Sequence, residues 1–565
     1  MELAVTCGIL IFIILFAVIR GRMDAKKRRQ DYRKRLMKEY GKFPDREYQA
    51  EDLKSIPRFF ERKRGTLDYE VDDITWNDLD MDRLFMLMNH TQSSSGAEYL
   101  YYTLRAPRQS EYADAWEKHV SYFMEQQQKR VDIQMHLHDL GKTGRFSLFD
   151  YLNYLEKIEK RSNKKEIAVL LLFLLSIAVI FVNASVGIML LLLIMCYQIT
   201  TYLKGKSTVL PYLSSFTYIM RMIDCAEKIS KEDMTDMSDY NEKLKEILLA
   251  LGGFKRGYSI LTKMNYSSGN PLEILGEYLK MVTHLDLIQF NRTLNQVQGK
   301  QKEIEELAEL IGYLDTVIAV GAFRTSLPYY CVPVLSDKAE CFQIEDGYHP
   351  AIADAVPNSI RQKRGMLITG SNASGKSTFL KMTALNAILA QTVHTCAAKT
   401  YIGNYFRIFS SMALRDSLES GESYYMVEIK ALKRIMDAAN DLENKNPLLC
   451  FVDEVLRGTN TIERIAASTK ILEKLAVGRV MCFAATHDIE LTHVLENSYD
   501  NFHFEEEVKD GDVLFSYRLK EGRAVSRNAI RLLQVIGFDE DIIRSADEMA
   551  AAFMQTGEWR NETCL

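Results

Sequence analysis

The sequence predicts a mixed α/β domain of parallel strands in its C-terminal part, joined to an all-helical region that carries apolar helices. Three observations support this prediction. A glycine-rich loop at 370–377 lies between a strand-like and a helix-like segment, 76–335 is largely helix-forming with few prolines or glycines, and charge-free stretches occur at 3–19 and 167–199. A chain of 565 residues is long enough for three or four structural units.

The composition excludes several classes of protein. Charged residues make up 26% of the chain, the ordinary fraction for a globular protein, which argues against a disordered chain and against a transporter with many spans. Nine cysteines without a C-x-x-C pair argue against a disulfide scaffold or a zinc ribbon. The net charge of −5 argues against a surface coated with basic residues for nucleic acid.

The first apolar segment, 3–19, is followed directly by a basic run. Its about 17 residues would form a helix of about 26 Å, close to the lower limit for crossing a membrane. Because the positive charge follows the apolar stretch, we favour an uncleaved anchor with a cytoplasmic chain over a signal peptide or an interfacial helix. The basic run, at 20–38, is interpreted as attracted to anionic lipid, with contact to nucleic acid as the alternative.

The second apolar region, 167–199, would be about 50 Å long as one helix, too long for a hydrocarbon core of about 30 Å. A break at Asn183-Ala184-Ser185 divides it into two spans, 167–182 and 184–199. Lysines flank both ends, so both ends are expected in the cytoplasm. A hairpin buried in a soluble core is the alternative, but a helix without a polar face has nothing to present to water. The predicted location is therefore the cell membrane, with about three spans.

The glycine-rich loop, Gly370 to Ser377, fits the pattern G-x-x-x-x-G-K-[ST] and follows the strand-like stretch 366–369. Backbone N–H groups of such a loop close around phosphate at a helix N-terminus, where the dipole favours an anion. Lys376 would supply a cation to the β- and γ-phosphates of ATP, and Ser377 a hydroxyl ligand to Mg²⁺. The predicted nucleotide-binding residues of this loop are Gly370, Ser371, Asn372, Ala373, Ser374, Gly375, Lys376, Ser377 and Thr378.

Two further strand-like stretches end in polar side chains. The stretch 448–453 ends in Asp453, predicted to hold Mg²⁺, and Glu454, predicted to polarise the attacking water. The stretch starting at Val480 ends at His487, predicted to contact the γ-phosphate. An exposed acidic pair and a structural histidine are the alternative readings. The predicted catalytic residues are thus Lys376, Glu454 and His487, and the predicted metal ligands are Ser377 and Asp453.

Between the loop and the acidic pair lie Ser420 and Gly421, in the sequence Ser-Gly-Glu-Ser. In P-loop ATPases whose two copies enclose ATP between them, such a Ser-Gly element donates to the γ-phosphate bound by the opposite subunit. A surface turn is the alternative. The position of the pair in the series of motifs favours a site completed by a second subunit.

Together these motifs resemble the MutS family, the DNA mismatch-repair ATPases with an ABC-type head. The segments that carry the resemblance are TGSNASGKSTFLK, DSLESGESYYMVEI, FVDEVLRGTNT and ATHDIELT. Segment 346–350 resembles the family's approach to the loop, where adenine is commonly cradled. Segment 537–549 resembles its final helical elements, and 76–107 the start of its helical core. An amphipathic stripe near 300–323 is similar to the lever helices that join this core to the head.

The resemblance implies a P-loop ABC-type ATPase head joined to an all-α MutS-like core and lever domain, with ATP and Mg²⁺ bound and Ser420 reaching across a homodimer. The sequence also departs from the family. The separate mismatch-reading domain has no counterpart, and Phe59-Phe60-Glu61 matches its Phe-x-Glu wedge only by coincidence. Arg527-Asn528-Ala529 replaces a Ser-Tyr-Gly of many members, so the dimer surface is expected to differ.

The predicted domains are a transmembrane anchor at 1–22, a basic juxtamembrane segment at 23–75, a helical core at 76–335 interrupted by the membrane hairpin, and an ATPase domain at 336–565. We expect a membrane-anchored ATPase that couples ATP hydrolysis in a dimer to binding of double-stranded or branched DNA. The alternative is a membrane-associated mechanical ATPase that acts on a protein or lipid partner without DNA.

Overall fold

The computed structural model of the chain describes residues 2–107, 113–143, 147–156, 162–252, 281–371, 374–412, 424–441, 445–456, 459–509, 512–524, 530, 533, 536–556 and 559. The chain divides into two compact units. The first consists of Met1–Thr66, Met88–Tyr102 and Ala115–Ser326, and the second of Leu67–Leu87, Thr103–Asp114 and Leu327–Leu565. The second unit thus includes residues outside the predicted ATPase domain 336–565, namely 67–75 of the predicted juxtamembrane segment and 76–87, 103–114 and 327–335 of the predicted helical core. The predicted domain boundaries otherwise stay predictions.

Helices make up the first unit. The helices whose residues belong wholly or mostly to it are α1 (Glu2–Glu39), α2 (Ala50–Ser55), α3 (Arg58–Lys63), α6 (Ser94–Arg105), α7 (Ala113–Glu125), α8 (Gln127–Leu140), α9 (Leu148–Glu156), α10 (Lys164–Ile180), α11 (Ala184–Ile229), α12 (Ser238–Ala250), α13 (Leu285–Gln298) and α14 (Gln301–Ser326). The predicted amphipathic stripe lies on α14, where Ile304, Leu307, Ile311 and Leu314 are fully buried. Burial of that stripe accounts for the helix at this position, because apolar residues three or four apart form one face.

The apolar hairpin is formed by α10 and α11, and residues 181–183 connect them. The side chain of Asn183 accepts a hydrogen bond from Val186 N (3.3 Å) and so caps α11. A Cβ atom at Gly187 would lie 2.5 Å from Ile180 N, so a glycine is needed where the two helices approach each other. The break therefore occurs at the Asn183 position expected from the sequence, and α11 continues without interruption to Ile229.

One helical segment among the described residues, Ala184–Gly205 of α11, is long and apolar enough to cross a membrane, judged by length and composition. The first predicted span lies within α1. Phe59 and Phe60 are each 2% exposed, and Phe59 stacks on Phe149 at 4.8 Å between ring centroids. Their burial agrees with the expectation that the Phe-x-Glu match is coincidental, because a wedge residue must reach the duplex.

The second unit contains all ten strands of the described residues, which form two sheets. The strands are β1 (Val334–Leu335), β2 (Phe342–Gly347), β3 (Asn358–Gln362), β4 (Met366–Thr369), β5 (Thr400–Gly403), β6 (Arg407–Ser411), β7 (Leu448–Asp453), β8 (Val480–Ala485), β9 (Asp500–Lys509) and β10 (Asp512–Glu521). The smaller sheet has the order β1-β5-β2-β3, and the larger has the order β10-β9-β4-β8-β7-β6. In the larger sheet, β10 is antiparallel to β9 and every other pairing is parallel.

Helices surround the larger sheet. The helices whose residues belong wholly or mostly to the second unit are α4 (Asp73–Asp78), α5 (Met81–Met88), α15 (Lys376–Thr392), α16 (Tyr424–Asn440), α17 (Thr461–Leu475), α18 (Ile489–Val494) and α19 (Glu540–Thr556). Strand β4 is buried along its whole length, as expected for a central parallel strand covered on both faces. Cys450 of β7, Cys482 of β8 and Leu472 of α17 belong to one core cluster. This core fixes the strand ends that carry the predicted site.

Candidate functional site

The glycine loop begins where β4 ends and leads directly into α15. Gly370 has φ +147° and Gly375 has φ +111°, backbone conformations that L side chains rarely adopt. A Cβ atom at Gly370 would lie only 2.8 Å from Phe504 O. The two glycines therefore let the loop turn tightly and bring its backbone to the first turn of α15, where helix N–H groups are available to an anion.

Lys376 is the first residue of α15 and is only 6% exposed. Its ammonium group donates to Gly370 O and Ser371 O, each at 2.8 Å. The same nitrogen lies 3.3 Å from Nε2 of His487. These contacts hold the positive charge over the loop backbone, where it would attract a phosphate group and neutralise part of its negative charge.

The acidic pair follows β7 at the same edge of the sheet. Burial raises the pKa of the Asp453 carboxyl, which the side-chain hydrogen bond with Ser377 opposes and the nearby Glu454 carboxylate reinforces. Glu454 has a left-handed backbone, with φ +60°, and its N–H donates to Ala485 O at 2.9 Å. Non-glycine residues adopt this conformation at an energetic cost and often do so at functional sites.

His487 follows the end of β8 and joins the other two groups. Its Nε2 lies 2.9 Å from Oε1 of Glu454 and 3.3 Å from Nζ of Lys376. The next residue, Asp488, accepts two hydrogen bonds from the guanidinium of Arg464, at 2.9 and 2.6 Å. This bidentate pair anchors the turn that presents the imidazole. Residues that follow three neighbouring strands thus meet in one place.

These residues line a cavity of about 590 Å³. Of the predicted residues, those that line it are Ser371, Ser374, Gly375, Lys376, Ser377, Thr378, Asp453, Glu454 and His487. Gly370 starts the loop without lining the cavity. Asn372, Ala373, Ser420 and Gly421 lie outside the described residues, so their predicted roles stay predictions. Residues 527–529 also lie outside them.

Several cavity residues were not predicted. Tyr517 Cδ1 would be 3.2 Å from a Cβ atom at Gly375, so this ring lies beside the loop. The Asn358 side chain donates to Tyr517 O at 3.0 Å and accepts from Leu519 N at 2.8 Å, which holds β10 at the cavity. Phe504 of β9 lines the same wall. In the sequence, Phe504 and Tyr517 are visible as aromatic residues that follow the stretches ending in Glu454 and His487. They are so far along the chain from the glycine loop that the sequence alone does not indicate that they lie beside it.

His349, from the segment expected to cradle adenine, also lines the cavity. Burial, helped by the positive charge of Lys381 and Arg83, lowers the pKa of His349 to about 4. Its Nδ1 accepts from Ala351 N at 3.2 Å. The imidazole is therefore neutral near pH 7 and adds no charge to this end of the cavity.

A second feature with functional potential is the surface of the α10–α11 hairpin in the first unit. Phe181 and Val182, at its tip, are 87% and 89% exposed, and Leu175 and Leu193 are about 60% exposed. Contiguous apolar surface of this kind on a soluble protein marks a contact with a membrane or another protein.

The second unit is therefore a mixed α/β domain. It gathers a glycine loop, a buried lysine and a carboxylate pair at the carboxyl ends of the parallel strands of its larger sheet, where such domains bind ligands. Residues 366–554 match the family model for MutS domain V. This stretch of the second unit is therefore a MutS-type domain V.

Curated relatives extend the match beyond this domain. The DNA mismatch repair protein MutS of Bacillus licheniformis is 30% identical over 316 residues, which cover 53% of this chain and 35% of the relative. The protein of the same name from Streptococcus pyogenes serotype M1 is 29% identical over 313 residues, covering 52% and 36%. That of Persephonella marina is 30% identical over 275 residues, covering 47% and 31%. The chain spans about a third of the length of these curated relatives.

Proposed function

We propose that the second unit binds ATP with Mg²⁺ and hydrolyses it to ADP and phosphate, as a P-loop ABC-type head. The observation that carries the proposal is the convergence of Lys376, Glu454 and His487 on one cavity. Nε2 of His487 lies 3.3 Å from Nζ of Lys376 and 2.9 Å from Oε1 of Glu454. Each of these groups follows a different strand of the larger sheet, and the three positions are far apart in the sequence. Their convergence supports a phosphate-directed site.

The loop residues would bind the nucleotide. The backbone of 370–377 would surround the phosphates, and Lys376, already held over the loop, would neutralise charge at the β- and γ-phosphates. The cavity of about 590 Å³ is large enough for a nucleotide, since ligand pockets usually measure about 300–1,000 Å³. Tyr517 would offer its ring to the base, and the neutral His349 would border the same region.

Ser377 and Asp453 are the residues that would hold Mg²⁺. A serine hydroxyl and a carboxylate are ligands that this hard cation prefers. Burial raises the pKa of Asp453, and the neighbouring Glu454 carboxylate raises it further, so a cation bound beside this pair would stabilise the ionised form of both side chains. The metal ion, when bound, neutralises charge that develops on the transferred phosphoryl group.

Glu454 would accept a proton from the attacking water and orient it, and His487 would stabilise the terminal phosphate. The contact of 2.9 Å between the two side chains keeps both facing the cavity. Arg464 supports His487 indirectly, because its guanidinium binds the carboxylate of the next residue, Asp488. Ser420 and Gly421 of a second copy would complete the site, so we propose that hydrolysis takes place in a homodimer.

For the partner, we propose double-stranded or branched DNA. Support comes from the curated relatives, whose names describe DNA mismatch repair proteins. Because the chain spans about a third of the length of these relatives, the proposal for this chain covers DNA binding and does not include recognition of mismatches. The proposed coupling is therefore between ATP turnover and DNA binding, in mismatch repair or with recombination intermediates.

We also propose that the chain is a multi-pass protein of the cell membrane with a cytoplasmic head. The exposed apolar surface of the hairpin supports this, as does the apolar helix Ala184–Gly205. The same surface supports a second candidate function, a membrane-associated mechanical ATPase that acts on a protein or lipid partner without DNA. The anchor at 1–22 belongs to both candidates.

The experiment that separates the two is steady-state ATP hydrolysis by the detergent-purified full chain with no DNA, perfect duplex, mismatched duplex or branched DNA. Stimulation by any DNA supports the first candidate, and stimulation by branched more than mismatched DNA indicates recombination intermediates. Equal rates in all four conditions favour the second candidate. No hydrolysis under any condition contradicts the ATPase proposal itself.

A further inference from the structure

Strand β6 is the edge strand of the larger sheet and pairs on one side with β7. An edge strand leaves the N–H and C=O groups of alternate residues pointing away from the sheet. Arg407 N faces inward, because it donates to Pro447 O at 2.9 Å. The N–H groups of residues 408, 410 and 412 therefore point outward, where unpaired groups would invite another strand.

Side chains from 69–78 occupy this outer edge in place of a strand. The Tyr69 hydroxyl accepts from Ile408 N at 2.6 Å and donates to Ile408 O at 2.5 Å. Two residues on, the Thr75 hydroxyl accepts from Ser410 N at 3.2 Å. The contacts follow the two-residue period of the strand, so these side chains match its outward groups one after another.

Asp78, the last residue of α4, makes the contact closest to the cavity. Its Oδ2 accepts from Met412 N at 2.9 Å and from the Ser410 hydroxyl at 2.7 Å. The side chain is buried, with 3% of the residue exposed. A buried carboxylate that accepts two hydrogen bonds fixes its donors more firmly than a neutral acceptor does.

Met412 lies where this contact affects the site. Ser411 of β6 is in register with Val452 of β7, so Met412 comes next to Asp453 across the sheet. Met412 also lines the cavity. The glycine loop, by contrast, follows β4, which is separated from β6 by β8 and β7. A displaced Met412 would thus disturb the acidic pair before it disturbs the loop.

We propose that Asp78 is a positioning residue for ATP turnover, which holds Met412 against the Asp453 side of the cavity through its backbone N–H. The inference rests on the proposed ATP hydrolysis. Asp78 touches no substrate and acts through the end of β6. It therefore governs the rate of turnover rather than the affinity for ATP, which depends on the loop and on Lys376.

The test compares kcat, ATP affinity and thermal midpoint of the full chain with those of four variants. Asp78→Ala removes the acceptor, and Asp78→Ser retains a polar side chain too short to reach Met412. Asp78→Asn keeps an acceptor oxygen in place. Thr75→Val is the matched control, because it removes one hydrogen bond from the same edge, one step farther from the cavity.

We expect Asp78→Ala and Asp78→Ser to lower kcat about tenfold, the factor that about 1.4 kcal/mol represents, with ATP affinity within about twofold. Asp78→Asn should restore most of the rate. Thr75→Val should lose thermal stability like Asp78→Ala but keep the full rate.

Wild-type kcat in Asp78→Ala, or an equal loss of kcat in Thr75→Val, overturns the inference. A wild-type chain without turnover overturns the proposed function and this inference together. If Asp78→Ala does not fold, Asp78→Ser decides by the same criteria.

Discussion

Replacing Glu454 by glutamine tests the proposed chemical step while leaving the shape of the site intact. The amide has the size of the carboxylate and can remain beside His487, which lies 2.9 Å from Oε1. The left-handed backbone at residue 454, with φ +60°, is equally available to glutamine and glutamate. The substitution therefore removes the charge and the proton acceptor, and little else.

The expected loss follows from the role of a general base. Such a group contributes about 10²–10⁴-fold, so kcat of Glu454→Gln should fall by that factor, or about 3–5 kcal/mol in activation free energy. ATP affinity should stay within about threefold of wild type, because Lys376 keeps its bonds to Gly370 O and Ser371 O. Binding without turnover should also make the ATP-bound state accumulate.

Single-turnover hydrolysis and equilibrium binding of a fluorescent ATP analogue measure the two quantities separately. Glu473→Gln is the matched control, since Glu473 pairs with Lys470 on α17 and does not line the cavity. This control should have wild-type rate and affinity. A Glu454→Gln variant that turns over at the full rate would remove Glu454 from the mechanism.

Three further predictions concern the loop, the cavity wall and the hairpin. Gly375→Ala should lose about 1–2 kcal/mol of stability and bind ATP more weakly in a titration, because φ is +111° there; equal affinity contradicts the loop's role. The pKa of His349 is lowered to about 4 from 6.5, so this group reduces folding stability as pH falls from about 6.5 to about 4. His349→Gln should flatten that decline in denaturant titrations, and an unchanged slope contradicts the assignment. A variant lacking 1–22 should stay with membranes after alkaline carbonate washing, and its release would favour a hairpin buried in a soluble core.

The central strands and their polar ends could be predicted from the sequence because each signal is local. The apolar stretch 366–369 followed by glycines specifies a buried strand and a turn into a helix, and β4 and α15 occur there. Asp453 and His487 were predicted in the same way, from apolar stretches that end in a polar residue. Parallel strands then bring their carboxyl ends to one edge, which explains why the predicted residues meet.

The remaining contacts join residues that no local pattern connects. Tyr517 reaches the loop because Asn358, which lies 159 positions earlier, binds the β10 backbone. Asp78 reaches Met412 across 334 positions and belongs to a stretch whose sequence predicts only a helical core. Such pairs depend on how the chain returns to the same sheet, and one sequence contains no signal for that. The division into two units, with early segments joined to the sheet, has the same origin.

The most direct test of the central claim is ATP binding by the full chain and by Lys376→Ala. Lys470→Ala, on the exposed surface of α17, is the control for loss of a positive charge. The account predicts that wild type and Lys470→Ala bind ATP with equal affinity and that Lys376→Ala does not bind detectably, because the phosphates lose the cation held over the loop. Near-normal ATP affinity in Lys376→Ala would contradict the assignment of this cavity as the nucleotide site.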